Sequence, residues 1–335
     1  MIGTDPEFFI LDDKGKPVPA WKFFPPKEQK IAVNNADGAI FRDGYALEVN
    51  ASPESCRGRF GNEVKAILRY ARRMLPAGYS LTSSPAVRID LNDMESAPPD
   101  CQVFGCDPSL NAYTQKNSSV NLDAYDHPFR YSGGHMHTSG ANRPWLATPE
   151  DKFLFVKLCD LCVGIPLAYL FDDEANVQRR KYYGRAGECR FQTYPDGSFG
   201  IEYRTPSPQL WNDQRLAGLM FGVFRDISYK YGSLKPQWKP EWEPMIQDAI
   251  NTGQVPYHLL QTVGGFYTPE LLRLIKTGRY FQDFQFIADP DDCHLGFSEW
   301  VWDTYPSKWN KLRGCEAGGY GVMPVNAPLR IGEPL

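Results

Sequence analysis

The chain has 335 residues, of which 42% are hydrophobic, and a formal net charge of -4. This length and apolar content suffice for one large domain or two with a sizeable core, while the small net charge gives no general attraction to nucleic acid or an anionic membrane. The start of the chain lacks signal-peptide regions, and no uninterrupted run of about 18 apolar residues occurs, so we expect a cytoplasmic protein without a membrane or nucleic-acid partner.

The first half of the chain reads as strands with one helix. Gly3 to Leu11 is a predicted strand, and Ile31 to Asn50 contains short strands separated by two Asp-Gly turns. Gly61 to Leu75 has a helical stripe of apolar residues that ends before a proline. Tyr79 to Leu91 is predicted to be one extended strand. Polar residues dominate 111–132, where we expect an irregular excursion beside a pocket.

A second helix is predicted to begin at Thr148, which is followed by proline and two acidic residues. It should run to about Val163, where Gly164 and Pro166 are expected to break or kink it. Its apolar character on nearly all sides indicates burial against a sheet. A Cys-x-x-Cys inside it, formed by residues 159 and 162, is therefore interpreted as a pair of core thiols and not as a redox or zinc motif.

The stretch from 185 to 207 organises the rest of the chain. Glu188 to Tyr194 and Phe199 to Thr205 alternate in polarity around a Pro-Asp-Gly-Ser turn, which predicts a hairpin. Further helices are predicted at Asn212 to Tyr231, Glu243 to Thr252 and Thr268 to Thr277. A Pro- and Trp-rich connector near 235 divides the predicted catalytic core, 1–235, from a helical and irregular extension, 236–335.

Polar residues recur two apart inside the predicted strands. The pairs are Asp5 and Glu7, Glu48 and Asn50, His135 and His137, Arg190 and Gln192, and Glu202 and Arg204. Residues two apart on a strand share a face, so these strands would line a pocket with one hydrophilic face of a sheet. Carboxylates are ligands of hard cations such as Mg²⁺, imidazole adds a nitrogen ligand, and arginine suits phosphate oxygens. The pattern predicts a site for a nucleoside triphosphate and metal ions, although a single Glu-x-Arg is more often a surface ion pair.

Five motifs carry a family resemblance: GTDPEFF, ALEVNASPE, GGHMHTSG, GRAGECRFQTY and GIEYRTPSP. In this order they resemble the phage-encoded carboxylate-amine ligases of type 2, from the superfamily of glutamine synthetase and gamma-glutamylcysteine ligase. The resemblance implies an α+β fold, in which a mainly antiparallel sheet forms a funnel-shaped active site with helices packed outside, as in glutamine synthetase and the guanidino kinases.

The resemblance also implies roles for individual residues. The implied metal ligands are Asp5, Glu7, Glu48, Glu54, His137 and Glu202. The implied nucleotide-binding residues are His135, His137, Arg190 and Arg204, and the implied catalytic residues are Arg185, Arg190, Glu202 and Arg204. The chain departs from the Glu-x-Glu pattern of the first strand, where it has Asp5 and Pro6.

The reaction that the resemblance implies has two steps. The gamma-phosphoryl group of ATP moves to a carboxylate with the help of Mg²⁺ or Mn²⁺, and an amine then attacks the acyl phosphate to form an amide. The carboxylate donor and amine acceptor would be amino acids, peptides or proteins. Three alternatives stay open: a phosphotransferase of the same fold, like a guanidino kinase, an ATP-independent metal hydrolase, and a binding protein with a degenerate site.

Overall fold

The computed structural model describes residues 1–34, 36–102, 109–118, 122–139, 143–193, 198–212 and 214–264. The strands are β1 (Ile2–Thr4), β2 (Glu7–Leu11), β3 (Pro17–Val18), β4 (Ile31–Ala32), β5 (Gly38–Asp43), β6 (Ala46–Glu54), β7 (Ser80–Thr82), β8 (Ala86–Arg88), β9 (Leu110–Asn111), β10 (Phe129–Tyr131), β11 (Met136–Ser139), β12 (Glu188–Thr193) and β13 (Phe199–Tyr203). The α-helices are α1 (Arg57–Met74), α2 (Pro149–Cys159), α3 (Ile165–Leu170), α4 (Glu174–Arg180), α5 (Gln214–Leu234), α6 (Glu243–Thr252) and α7 (Tyr257–Gly264). The helix predicted at Thr268 to Thr277 and most of the predicted Pro-Asp-Gly-Ser turn lie outside the described residues.

One large antiparallel sheet forms the frame, in the order β3-β2-β6-β1-β11-β13-β12-β9, with β5 joined to β6, β4 joined to β5, and β7 joined to β2. The predicted α+β class with a mainly antiparallel sheet is confirmed. The predicted hairpin is present too, because β12 pairs with β13 along its length. The predicted strand at 79–91 is instead divided: β7 joins the large sheet, whereas β8 pairs with β10 in a separate two-stranded sheet.

The predicted first strand is interrupted where Asp5 and Pro6 separate β1 from β2. Both short strands nevertheless pair with β6, and Thr4 opposite Ala51 and Glu7 opposite Glu48 follow the same register. Pro6 has no N–H to donate, so the hydrogen-bond ladder is broken there while the direction of the chain is kept. The consequence is that Asp5 and Glu7 stay beside the same central strand.

The helices cover one face of this sheet. Met136, Cys189, Ile201 and Tyr203 point to that side and are fully buried. Helix α1 packs against β5 and β6, and α2 packs against β13. Because side chains alternate along a strand, the residues between these apolar ones face the opposite side of the sheet. That opposite side carries the polar pairs.

The second predicted helix does not end near residue 163. Helix α2 passes through a π-helical turn, Asp160–Gly164, directly into α3, and the N–H of Ile165 donates to the carbonyl of Asp160. Pro166 is tolerated because it lies in the first turn of α3, where its missing N–H matters least. A Cβ on Gly164 would lie 2.7 Å from the hydroxyl of Tyr203, so only glycine fits there.

Other helix ends also differ from the sequence predictions. Helix α1 begins at Arg57, four residues before the predicted start, and α4 and α7 were not predicted at all. The hydroxyl of Thr148 makes no cap to the backbone of α2; it donates to Asp151 Oδ2 at 2.7 Å. These features are short or depend on side-chain geometry, and apolar periodicity does not reveal them.

The helical stretch Pro149–Leu170 is long and apolar enough to cross a membrane by length and composition, and 83% of its most apolar window is buried inside the protein. The stretch is the central helix of the core, as its all-round apolar pattern predicted. Cys159 and Cys162 are among its buried residues, with 0% and 2% of their surfaces exposed. Both are free thiols, which agrees with their interpretation as core residues.

Candidate active site

A row of polar residues crosses the face of the sheet opposite the helices. His137 on β11 lies opposite Gly3 on one side and opposite Glu202 of β13 on the other, and Glu202 lies opposite Arg190 of β12. Residues directly opposite each other in neighbouring strands project from the same face. The pairing therefore brings side chains that are up to 65 residues apart in sequence, from His137 to Glu202, into one surface.

Asp5, His137 and Glu202 form a group that we call the first acid cluster, with one ligand-type atom of each within 4.8 Å of the others. His137 Nε2 lies 2.8 Å from Asp5 Oδ1. His135 lies against the same cluster, with Nδ1 at 3.2 Å from Asp5 Oδ1 and 3.5 Å from Glu202 Oε1. Two carboxylates and two imidazoles thus converge around Asp5.

Glu7, Asp43 and Glu48 form a second acid cluster, again with ligand-type atoms within 4.8 Å. Glu7 and Glu48 are opposite each other on β2 and β6, and Asp43 is the last residue of β5. The backbone N–H of Gly133 donates to Glu7 Oε2 at 2.6 Å, and the N–H of Glu7 donates to the Gly133 carbonyl at 2.9 Å. Glu7 is therefore fixed between β6 and the segment that leads into β11.

Two arginines flank Glu202. Arg190 Nη1 lies 3.4 Å from Glu202 Oε2, and Arg204 Nε lies 3.1 Å from Glu202 Oε1. Arg204 is buried, and it also donates to the hydroxyls of Ser109 and Tyr183. The Arg190 side chain keeps 22% of its surface exposed. Arg204 thus holds the site together from inside, whereas Arg190 can meet a ligand from solvent.

Tyr183 connects the two acid clusters. Its hydroxyl lies 2.6 Å from His135 Nε2 and 3.3 Å from Glu7 Oε1. The ring lies between two guanidinium groups, with Arg179 Cζ at 4.9 Å and Arg204 Cζ at 5.1 Å from its centroid. One phenol therefore contacts Glu7 of the second acid cluster and His135, which lies against the first.

Burial and mutual repulsion dominate the electrostatics of the second cluster. Burial and the charge of Asp43 raise the pKa of Glu7 to about 8, although Arg204 opposes this rise. Burial, followed by the charges of Asp5, Asp43 and Glu7, also raises the pKa of Glu48 well above its usual range. Carboxylates held together in this way favour either a proton or a metal cation.

The first cluster behaves differently because imidazoles compensate its acid. Burial alone would raise the pKa of Asp5, but His137 and His135 outweigh burial and hold that pKa below its usual value. Burial lowers the pKa of His135. For His137, burial also acts to lower the pKa, yet the neighbouring Asp5 carboxylate leaves it raised. Asp5 is thus the anionic centre of the first cluster.

Two of the implied site residues make their contacts elsewhere. Arg185 Nε donates to Glu188 Oε1 at 3.0 Å, and its Nη2 donates to the hydroxyl of Ser118 at 2.9 Å. Glu54 lies opposite Ile2 at the far end of β6, six positions from Glu48, which corresponds to about 20 Å along a strand. The described contacts join neither residue to the acid clusters.

The buried side chain of Arg179 and the close backbone packing at two glycines fix the segments around the site. Arg179 donates to the carbonyls of Ser132, Arg204, Thr205 and Pro206. A Cβ on Gly133 would lie 2.1 Å from His135 Nε2, and one on Gly134 would lie 2.5 Å from the Ser207 carbonyl oxygen. A side chain at either position would therefore collide with the residues of the site.

Sequence reasoning missed Asp43 and Tyr183. From the sequence, Asp43 is predicted only as part of an Asp-Gly turn. The register of that hairpin would have indicated its position: Phe41 lies opposite Glu48, and Asp43, two positions after Phe41, therefore lies on the same face of the sheet as Glu48. Tyr183 follows α4 in an irregular segment, and no periodic signal points to it. The contacts of Arg179, near the end of α4, with the backbone that follows β13 hold this segment at the site.

Comparison with known families gives one match. Residues 111–260 match the family model described as phage phiEco32-like COOH.NH2 ligase-type 2. The matched region includes His135, His137, Arg190 and Glu202, while Asp5 and the second acid cluster precede it in the chain. No curated protein gives a significant match.

Proposed function

We propose that the protein is a carboxylate-amine ligase that uses ATP and forms its amide through an acyl phosphate, because residues 111–260 match the model of the phage phiEco32-like COOH.NH2 ligase-type 2 family. One observation carries the proposal. Six ligand-type side chains converge as two acid clusters on one face of a sheet, with a partly exposed arginine beside them. We also propose that this face is the wall of a funnel like that of glutamine synthetase.

The donor set fits divalent metal ions. Asp5, His137 and Glu202 would hold one Mg²⁺ or Mn²⁺, and the second acid cluster would hold another. Buried carboxylates that repel one another gain most from a cation between them. Glu7 is such a carboxylate, because burial and the charge of Asp43 raise its pKa. Bound there, the ions would neutralise charge on the phosphate oxygens of the nucleotide.

The protein residues would orient the reactants. Arg190, which is partly exposed next to Glu202, would donate to the transferred phosphoryl group or to the substrate carboxylate. Arg204 would keep Glu202 in place, because its guanidinium is buried and tied to Ser109 and Tyr183. In the first step a carboxylate oxygen bonds to the gamma-phosphorus of ATP, and ADP leaves.

In the second step the amine nitrogen bonds to the acyl carbon, phosphate leaves, and the amine gives up a proton. The partners would be a carboxylate donor and an amine acceptor such as an amino acid, a peptide or a protein. We expect the reaction to take place in the cytoplasm, which is that of the host if a phage encodes the protein. Arg185, which binds Glu188, would act on the site only by fixing the turn before β12.

The test uses hydroxylamine as a general amine. With ATP, Mg²⁺ and a panel of carboxylates, the protein should release ADP and form a hydroxamate, which mass spectrometry detects. Glu202→Gln should lower this rate by about 100-fold or more, since it removes a charge needed at the reacting phosphate. The matched control is Glu174→Gln, the same change at an exposed position of α4, which should leave the rate unchanged.

The products separate the alternatives. A phosphotransferase would yield ADP and a stable phosphorylated acceptor, while a metal hydrolase would work without ATP. Full activity of folded Glu202→Gln would refute the site assignment. Failure of the whole carboxylate panel to give hydroxamate, with ADP still released in proportion to a phosphorylated product, would refute the ligase mechanism.

A further inference from the structure

The resemblance implies that His137 is a metal ligand and that both His135 and His137 bind the nucleotide, but it gives no reason why the two histidines should differ. His135 and His137 lie on the same side of β11, and both approach the same oxygen, Asp5 Oδ1, at 3.2 and 2.8 Å. The difference between them lies in the second ring nitrogen of His135. That nitrogen, Nε2, is 2.6 Å from the hydroxyl of Tyr183.

The donors and acceptors around Tyr183 define the direction of the hydrogen bonds that run through its hydroxyl. A guanidinium group can only donate, so the Tyr183 oxygen accepts from Arg204 Nη2 at 3.1 Å. The hydroxyl then has a single proton, and of its two acceptors His135 Nε2 is nearer, at 2.6 Å, than Glu7 Oε1, at 3.3 Å. A carboxylate can only accept, so His135 Nδ1 carries the ring proton toward Asp5.

We propose that Tyr183 is a positioning residue that locks His135 in the tautomer with its proton on Nδ1, so that His135 aims Asp5 at a divalent cation and His137 alone is the histidine ligand. Both nitrogens of His135 are engaged in the chain from Arg204 through Tyr183 to Asp5. His137 has no such second tie to Tyr183 among the described contacts, so a cation could take the place of its hydrogen bond with Asp5 in the first acid cluster. The proposal rests on the proposed function for the identity of the cation site.

The residues around Tyr183 restrain the position of its ring. Arg179, which is fully buried, packs its guanidinium on the ring and donates to four backbone carbonyls. Gly184 follows directly with a φ of +68°, and any Cβ there would lie 2.0 Å from Arg179 Nη1. The phenol is therefore fixed from behind and presents only its hydroxyl to the clusters, which is the requirement for setting a tautomer.

The chain supplies a matched control for the key contact. Tyr131 and His127 form a second phenol-imidazole pair, with the hydroxyl 2.7 Å from His127 Nε2, and they lie in the small sheet and the segment that leads into it. None of the contacts that the structure describes joins either residue to an acid cluster. Tyr183→Phe and Tyr131→Phe thus delete the same kind of hydrogen bond inside and outside the site.

The first measurement is nitrogen NMR of the full chain labelled with ¹⁵N at its five histidines, with His135→Gln to assign the signal. The expected wild-type pattern is a protonated Nδ1 and an unprotonated, hydrogen-bonded Nε2 at His135. Tyr183→Phe should change the His135 signals, and Tyr131→Phe should change only those of His127. A wild-type His135 with its proton on Nε2 would overturn the proposal without any variant.

The second measurement is Mn²⁺ binding followed by electron paramagnetic resonance. Loss of a partner that orients a ligand typically costs 10- to 100-fold in affinity, so Tyr183→Phe should bind Mn²⁺ about 10-fold more weakly, and His137→Gln more weakly still. Tyr131→Phe should match wild type within about twofold. Because Tyr183 acts through His135, the double variant Tyr183→Phe/His135→Gln should bind no more weakly than His135→Gln alone.

Two results would overturn the proposal: Mn²⁺ affinity of Tyr183→Phe equal to that of Tyr131→Phe, or additive losses in the double variant. Its failure is distinguishable from that of the ligase function. The expected tautomer and Mn²⁺ binding without hydroxamate formation would refute the ligase mechanism and leave the role of Tyr183 standing. Hydroxamate formation with the opposite tautomer would do the reverse.

Discussion

Replacing Asp160 with asparagine should change how the free energy of unfolding depends on pH. Asp160 is fully buried in the π-helical turn between α2 and α3. Tyr203 donates to its Oδ1 at 2.8 Å and Tyr113 donates to its Oδ2 at 2.9 Å. Burial raises the pKa of this carboxyl to about 7, although these hydrogen bonds oppose the rise. The buried carboxyl of Asp160 therefore titrates near neutral pH.

The sign and size follow from proton binding. Folded Asp160 keeps its proton up to about pH 7, whereas in the unfolded chain it releases the proton near the ordinary value of 3.8. The folded state binds more protons between these values, so the free energy of unfolding falls as pH rises through them and the loss is complete above about pH 7. The full interval corresponds to roughly 4 kcal/mol, at about 1.36 kcal/mol per pH unit. Asparagine cannot ionise, so the free energy of unfolding of Asp160→Asn does not undergo this fall as the pH rises.

Urea unfolding of both proteins between about pH 5 and about pH 8 measures the effect. The stability of Asp160→Asn relative to wild type should increase by roughly 3 kcal/mol over this range. Other buried carboxyls, such as Glu7, are present in both proteins and cancel in the difference. The control is Asp90→Asn, because Asp90 is exposed and its hydrogen bond with Lys16 holds its pKa below the usual value.

For Asp90→Asn, the difference from wild type should stay constant from about pH 5 upward, since that carboxyl is ionised in both states. A constant difference for Asp160→Asn as well would refute the reasoning. It would mean that the hydroxyls around Asp160 outweigh burial and keep it ionised in the folded protein. The lost acceptor capacity of asparagine can only add an offset that does not depend on pH.

Two further predictions concern glycine and cysteine positions. Gly184→Ala should lower the free energy of unfolding by about 2 kcal/mol or more, because the φ of Gly184 is +68° and an added Cβ would meet the buried guanidinium of Arg179. The control is Gly232→Ala in α5, where the space around the glycine is open. In urea unfolding this change should be neutral or stabilising by up to about 1 kcal/mol. The two cysteines of the Cys-x-x-Cys should resist iodoacetamide in the native protein while half-exposed Cys56 reacts, and peptide mapping that shows them labelled without denaturant would contradict their burial.

Strand alternation explains why much of the polar face was predictable. Side chains two apart share a face whatever the partner strand, so the placement of Arg190 with Gln192 and of Glu202 with Arg204 followed from local sequence. The hairpin then put Arg190 opposite Glu202. The roles assigned to these residues stay predictions, because position on a face does not establish chemistry.

Contacts between distant segments could not be predicted in the same way. Asp5 meets His137 across 132 positions of sequence, and the pairing of β1 with β11 has no local signature. Tyr183 reaches His135 because Arg179, near the end of α4, donates to the Ser132 carbonyl and to carbonyls after β13 and so holds the following segment beside the site. The failure to predict α4, a helix of seven residues, therefore also concealed Tyr183.

The two acid clusters differ in how far the protein itself compensates their charge. In the first, His137 and His135 outweigh burial at Asp5, so its carboxylate is stable as an anion. In the second, the charges that act on Glu48 come mostly from other acids, and Lys27 opposes them only in part. A divalent cation would therefore have to replace existing hydrogen bonds at the first cluster, whereas it would relieve repulsion at the second. On this physical ground the second cluster should bind its cation with the larger gain in stability of the folded protein.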